Sequence, residues 1–140
     1  MPIAQAMCTS FKAELFGGVH DLDTDVIKIA LYASTANLDA STTVYSSANE
    51  VPNSGTYVAG GATLTGVIIS SSGTTAFVDF ADVSWTSATI TARGALIYNS
   101  SKADRAIAVL DFGSDRISTT GTFTIQFPAP TATDAILRLA

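Results

Sequence analysis

Large aliphatic and aromatic residues alternate with polar ones along much of the chain, at the period of a β-strand. In Val26–Tyr32 the bulky aliphatic residues occupy every second position, which predicts a strand with one buried face. Further segments of similar character follow, each bounded by Gly, Ser, Asn, Asp or Pro. They are Tyr57–Ala59, Thr63–Ser70, Thr75–Phe80, Ala88–Tyr98, Ala106–Phe112, Gly121–Phe127 and Ala135–Leu139. This spacing predicts an all-β fold.

Two connections between these segments predict β-hairpins. Ser71-Ser72-Gly73 closes one hairpin, and Asn99–Arg105 closes a second. Both are short and rich in residues that favour turns. Asp111-Phe112-Gly113 is interpreted in the same way, as the end of a strand followed by a turn.

One helix is predicted, over Ser10–Phe16. Ser10 is the predicted N-cap, and Gly17-Gly18 supplies the left-handed residue that commonly ends a helix. From Ala33 to Thr56 the pattern loosens, so we expect a long covering loop, in which Thr43–Glu50 carries a weak helical signal.

The chain has 140 residues, and 47% of them are hydrophobic, which suits one domain with one core. Helix breakers recur after Gly55 and leave no room for the crossover helices of a parallel sheet. We therefore predict a single domain over residues 1–140: an antiparallel two-layer β-sandwich of jelly-roll type, with one short N-terminal helix and a short arm before Ser10. The N-terminus has no basic start, so we expect no secretory signal, and no segment is apolar for long enough to predict a membrane helix.

The formal net charge is −5, and the basic residues are isolated from one another along the chain. Because nucleic-acid binding depends on clustered cations that meet phosphates, we do not expect direct binding to DNA or RNA. The only cysteine, Cys8, has no partner for an internal disulfide and is expected to be a small apolar filler rather than a reactive thiol.

Residues that commonly carry catalysis are few. The only histidine, His20, lies in a polar segment and is expected to be solvated. The acidic run Asp21–Asp25 resembles the start of a calcium loop, but Val26 stands where that loop needs Gly. Asp79 and Asp82 flank the end of a strand, where Asp is an ordinary turn former. We therefore expect no catalytic centre, no metal site and no cofactor.

Several turn-and-strand motifs span the region from Ala48 to Gly113 and the C-terminal end. They are Ala48-Asn49-Glu50-Val51, Gly55-Thr56-Tyr57-Val58-Ala59-Gly60-Gly61, Thr63-Leu64-Thr65-Gly66, Asp82-Val83-Ser84-Trp85-Thr86, Ala92-Arg93-Gly94-Ala95-Leu96-Ile97-Tyr98, Ala108-Val109-Leu110-Asp111-Phe112-Gly113 and the closing Phe127-Pro128-Ala129 to Leu139. These segments resemble a family of small structural proteins of tailed bacteriophages that decorate or cement the capsid.

The resemblance implies a jelly-roll-like sandwich, made in the host cytoplasm, that sits on the outer capsid surface of the virion. It implies the phage major capsid protein as partner, with neighbouring subunits bridged by an oligomer, for which we expect a homo-dimer. It implies no catalytic residues, and it does not identify the residues that contact the shell.

Three aromatic residues are candidates for the partner interface: Tyr45 in the long loop, and Tyr57 and Trp85 at turns. Loops that project from a rigid sandwich often bind partners, although they also serve merely to cover the ends of sheets. For Trp85, a core anchor between the sheets is the favoured interpretation, and a partner-facing position is the alternative.

Two other classes of function compete with the cement hypothesis. One is a carbohydrate-binding or receptor-binding β-sandwich module of a phage tail or fibre, which fits the β pattern but not the scarcity of tryptophan. The other is a small hydrolase, for which the sequence offers no nucleophile or general acid with an evident partner.

Overall fold

The structure is a computed structural model that describes residues 3–140. Its elements are β1 (Ala6–Met7), α1 (Thr9–Phe16), β2 (Ile27–Tyr32), β3 (Ala62–Thr63), β4 (Ile68–Ser72), β5 (Thr75–Asp79), β6 (Val83–Asn99), a 3-10 turn (Ser100–Lys102), β7 (Arg105–Ile125) and β8 (Leu137–Leu139). The strands form a five-stranded sheet of order β1-β7-β6-β2-β3 and a three-stranded sheet of order β4-β5-β8. All named strand pairs are antiparallel. The predicted all-β antiparallel sandwich with one short helix is confirmed, and the jelly-roll arrangement stays a prediction.

The helix begins slightly earlier than predicted. Cys8 precedes it and makes no side-chain capping hydrogen bond, whereas Ser10, the predicted N-cap, lies inside the first turn. The predicted end at the glycine pair is confirmed, because Gly18 adopts the left-handed φ of 70°. Phe11 is the buried residue of the helix, which packs mainly against β7.

A long hairpin of β6 and β7 replaces three of the predicted segments. The connection at Asn99–Arg105 is confirmed, with Asn99 paired to Arg105. The predicted strand end at Asp111–Gly113 is wrong, because β7 continues through it. Gly113 takes a φ of 82°, and its N–H donates to Asp111 Oδ1 (2.9 Å), so the irregularity stays within the strand.

The predicted strand Thr63–Ser70 is divided between the two sheets. Thr63 pairs with β2, whereas Ile68 pairs with β5. Gly66 lies between them with a φ of 63°, a conformation that lets the chain leave one sheet for the other. The hairpin that follows is confirmed, with Ser72 paired to Thr75 across a two-residue turn.

The predicted strand Tyr57–Ala59 and the weak helical signal at Thr43–Glu50 both turn out to be irregular loop. The loop is nevertheless attached to the sheet, since Val51 N–H donates to Leu31 O (3.0 Å) and Val44 forms an isolated bridge with Arg105. Backbone pairing with the sheet edge satisfies its polar groups without helix formation.

The N-terminal arm also belongs to the sheet. Ala6 pairs with Val109 in β7, and Ile3 forms a parallel bridge with Leu38. Met1 and Pro2, the start of the predicted arm, lie outside the described residues. The described part of the arm thus includes an edge strand and does not project freely.

Candidate functional site

The three aromatic candidates for a partner interface differ in exposure. Tyr57 is fully buried and Trp85 is 2% exposed, whereas Tyr45 is partly buried. The Tyr57 and Trp85 rings lie 5.3 Å apart, centre to centre, and the Phe123 ring lies 6.3 Å from that of Trp85. The prediction of Tyr57 and Trp85 as contact residues is corrected: both rings fill the core, because large aromatic surfaces gain most from leaving water. The core-anchor interpretation of Trp85 holds.

The hydroxyl groups of Tyr45 and Tyr57 meet on one carboxylate. Tyr45 donates to Glu50 Oε1, Tyr57 donates to Glu50 Oε2 (2.7 Å), and Gly60 N–H donates to the same Oε2 (2.7 Å). The Tyr57 oxygen also accepts from Leu31 N–H in β2 (2.9 Å). Burial, with the hydrogen bond to Glu50, raises the pKa of Tyr57. This network clamps the long loop onto the five-stranded sheet and leaves the Glu50 carboxylate fully engaged.

The side chain of His20 is inaccessible to solvent, contrary to the expectation of a solvated side chain. Its Nε2 donates to Glu14 Oε1 (2.8 Å), and its Nδ1 accepts from Asn99 Nδ2 (3.0 Å). The ring also packs against Phe11, at 4.9 Å between centres. Because the segment after α1 folds back between the helix and the β6–β7 connection, partners on both sides offset the cost of burying the polar ring. Neither nitrogen is left to accept a proton from a nucleophile.

Hydrogen bonds from Arg105 and His20 determine the charge state of Glu14. Burial acts to raise the pKa of Glu14, but these hydrogen bonds outweigh it, and the pKa lies below the ordinary value for a glutamate. The Arg105 guanidinium lies 2.9 Å from Glu14 Oε2. The arrangement therefore stabilises the join between α1 and β7.

The acidic run after His20 forms a turn held by its own carboxylates. Asp21 Oδ1 accepts from Asp23 N–H (3.1 Å), and Asp25 Oδ2 accepts from Asp21 N–H (3.0 Å) and from Asn99 (2.8 Å). The hydrogen bond from Asn99 is the main cause of a lowered pKa at Asp25. Within residues 3–140, no three His, Cys, Asp or Glu side chains are grouped so as to hold a metal ion.

Two further titratable groups are buried. Asp79 is 9% exposed, with Oδ1 lacking a hydrogen-bond partner, and burial together with the nearby charge of Asp82 raises its pKa. Asp82 itself accepts from Phe127 N–H (2.8 Å) and joins the end of β7 to the start of β6. Burial raises the pKa of the Cys8 thiol to about 11, so the thiol is protonated at neutral pH.

An apolar groove of about 450 Å³ lies between α1 and the three-stranded sheet. Its lining includes Met7, Phe11, Leu15, Ile69, Phe77 and Leu139. Ile69 is 54% exposed and Leu139 is 49% exposed, and both belong to the groove wall. The sequence analysis missed this groove. The alternation in Ala135–Leu139 and Thr75–Phe80 marks apolar faces, but no sequence signal says which element lies opposite them.

No helix in the described part of the chain is both long and apolar enough to span a bilayer. Comparison with models of protein families, with curated proteins and with solved structures finds nothing that matches this chain.

Proposed function

We propose that this chain is a non-enzymatic virion structural protein that binds the outside of a phage capsid and cements neighbouring subunits of the major capsid protein. The observation that carries the proposal is the open apolar groove between α1 and the three-stranded sheet. The resemblance of the strand-and-turn motifs to capsid decoration proteins supplies the identity of the partner.

The groove has the properties of a protein-binding surface. Ile69 and Leu139 leave about half of their surface in water on its wall, and Phe16, next to the groove residue Leu15, is 96% exposed. Exposed aliphatic side chains along a groove are a feature of surfaces that bind other proteins. Its burial against a capsid subunit would supply a hydrophobic driving force for binding.

A cement acts by mass action. A protein that binds only the assembled shell stabilises that shell by its binding free energy, and many copies multiply the effect. Each contact therefore needs little area. Rigid support favours such binding, because a surface that is ordered in advance loses less entropy on association. The Glu14–Arg105 pair holds α1, which forms one wall of the groove, against β7 in this way.

The two competing functions have less support from the geometry. Sugar faces stack on exposed aromatic rings, and Tyr57 and Trp85 are buried. A hydrolase needs an accessible general base, and the nitrogens of His20 and the oxygens of Glu50 already make hydrogen bonds. The free oxygen of Asp79 belongs to a buried side chain. Protein binding is therefore the function that we propose for the groove.

The test is co-sedimentation of the protein with empty phage shells that lack it, followed by heating of the shells with and without it. We expect saturable binding and a raised disruption temperature. Leu139→Asp places a charge in the groove wall and should weaken binding at least about tenfold, since burial of a leucine contributes roughly 1.5–3 kcal/mol.

The matched control is Ile117→Asp, which changes an aliphatic residue that is 69% exposed on β7, outside the groove. We expect this variant to bind like the parent protein. Equal binding by Leu139→Asp and the parent would remove the groove from the proposal, and absence of any binding to shells would remove the cement function.

A further inference from the structure

The outer edge of β4 is open. This strand is the last in the order β4-β5-β8, and all five of its residues are exposed. Within residues 3–140, no backbone hydrogen bond reaches it from outside its own hairpin. An open edge offers a row of N–H and C=O groups to another strand.

The direction of these groups follows from the hairpin. Ser72 and Thr75 flank the two-residue turn, so this pair exchanges hydrogen bonds with each other. In an antiparallel ladder the bonding direction alternates along the strand. The backbone groups of Ile69 and Ser71 therefore point away from β5, towards solvent.

The other sheet edges are short or protected, as is usual in natural sheets. β1 and β3 have two residues each, and β8 has three, including Arg138. The free part of β7 carries Asp115 and Arg116, and its backbone turns to a φ of 45° at Thr120. The β4–β5 ladder has continuous register, and β4 contains neither charge nor proline.

Charge favours a second copy of the same chain as the occupant of this edge. The chain carries a net charge of −5, so two copies repel each other over most of their surface. No charged residue lies between Glu50 and Asp79 in the sequence, and β4 is at the centre of this neutral stretch. Two copies meet there without placing like charges on opposing strands.

We propose that two copies of the protein pair β4 with β4 in antiparallel orientation around a twofold axis, so that the two three-stranded sheets become one six-stranded sheet. An antiparallel pair of identical strands satisfies the symmetry of an isologous dimer. The pairing uses the free edge of both copies, so assembly through it stops at two. The contact is small, and the dimer dissociates on dilution.

The pairing also orients the two grooves. A twofold axis between antiparallel strands of one sheet runs perpendicular to the sheet, so equivalent faces remain on the same side. The Ile69 side chains of both copies, and with them both grooves, then face the same way. Such a dimer would engage two capsid subunits at once. The dimer itself does not depend on the shell-binding proposal.

The test is the solution mass of the full chain, measured by analytical ultracentrifugation from micromolar to near-millimolar concentration. We expect a reversible change from monomer to dimer. Ser71→Lys should weaken the dimer by about tenfold, because symmetry places the new charge in both copies at the paired edge. Ser71→Pro removes an outward N–H and should weaken it as well.

Ser114→Lys is the matched control, since it makes the same change at an exposed serine of β7. It should dimerise like the parent, and circular dichroism should show all three variants folded. A monomer at every concentration, an assembly that grows beyond the dimer, or a dimer that both Ser71 variants leave intact would each overturn the proposal. These results are independent of shell binding, so either proposal can fail alone.

Discussion

Removal of the Tyr57 hydroxyl tests how much the Glu50 hydrogen-bond network contributes to the stability of the protein. Tyr57→Phe removes one oxygen atom from a fully buried side chain and leaves the ring in place. The oxygen accepts from Leu31 N–H (2.9 Å) and donates to Glu50 Oε2 (2.7 Å). The substitution therefore leaves one buried donor without a partner and removes one hydrogen bond to a carboxylate.

The expected cost is the sum of two contributions. An unsatisfied buried N–H costs about 1–3 kcal/mol, and a hydrogen bond to a charged group contributes about 1.5–3 kcal/mol. Because Glu50 keeps its contacts with Tyr45 and Gly60, we expect the lower part of the combined range, about 3–4 kcal/mol of unfolding free energy. This is a large share of the total stability of an ordinary domain.

Urea unfolding measures the effect, with far-UV circular dichroism as the signal and all variants at one protein concentration. Tyr32→Phe is the control, because the hydroxyl of the buried Tyr32 donates only to Ser46 O (2.7 Å), and Ser46 is exposed, so that water can replace the lost donor. We expect it to cost about 1 kcal/mol. If Tyr57→Phe costs no more than Tyr32→Phe, the Glu50 network does not stabilise the loop as we have argued.

Three further predictions concern the backbone and the charges. Gly61→Ala should prevent folding, because a Cβ at this position, where φ is 81°, would lie 1.7 Å from Ile29 O. Soluble yield and circular dichroism measure the effect. Gly18→Ala is the control, since Gly18 also has a positive φ but open space around it, and this variant should lose only about 1–2 kcal/mol of unfolding free energy. Glu14→Gln should destabilise the protein at pH 7 by about 1 kcal/mol and progressively less below pH ~4. The sign follows because a lowered carboxyl pKa stabilises the fold above the unfolded pKa and loses that contribution as pH falls towards the folded pKa. Asp79→Asn should stabilise the protein at neutral pH, and this gain in stability should vanish in acid. The reason is that folding raises the pKa of Asp79, so the parent protein loses stability as the pH rises from the pKa of the unfolded state through that of the folded state. Urea titrations at several pH values would check both, and an Asp79→Asn variant less stable than the parent at pH 7 would contradict the second.

Local pattern was enough for the elements whose neighbours in sequence are also their neighbours in space. The alternation in Val26–Tyr32 corresponds to β2, and the turn residues around Gly73 and Asn99 close the two predicted hairpins. The helix ended where its glycine pair predicted. In each case the information lies within a few residues, because strand period, turn conformation and helix termination are short-range properties of the backbone.

The failures concern contacts between segments distant in sequence. Asp111–Gly113 has the composition of a turn, yet its strand continues because pairing with β6 resumes at Arg116 after a shift in register. His20 has polar neighbours in sequence, yet Glu14 and Asn99 enclose it in space. The residues next to a position in the sequence do not indicate which distant residues will contact it.

The sequence by itself determined the class of the fold, which is all-β with one short helix, and the positions of most strands and turns. Only the tertiary structure decided which sheet each strand joins, which aromatic rings are buried, and where apolar surface remains open. The physical reason is that strand period depends on the backbone of one segment, whereas burial depends on which other segments cover it. Tyr57 and Trp85 lie in the core and Ile69 at the groove because of those distant partners.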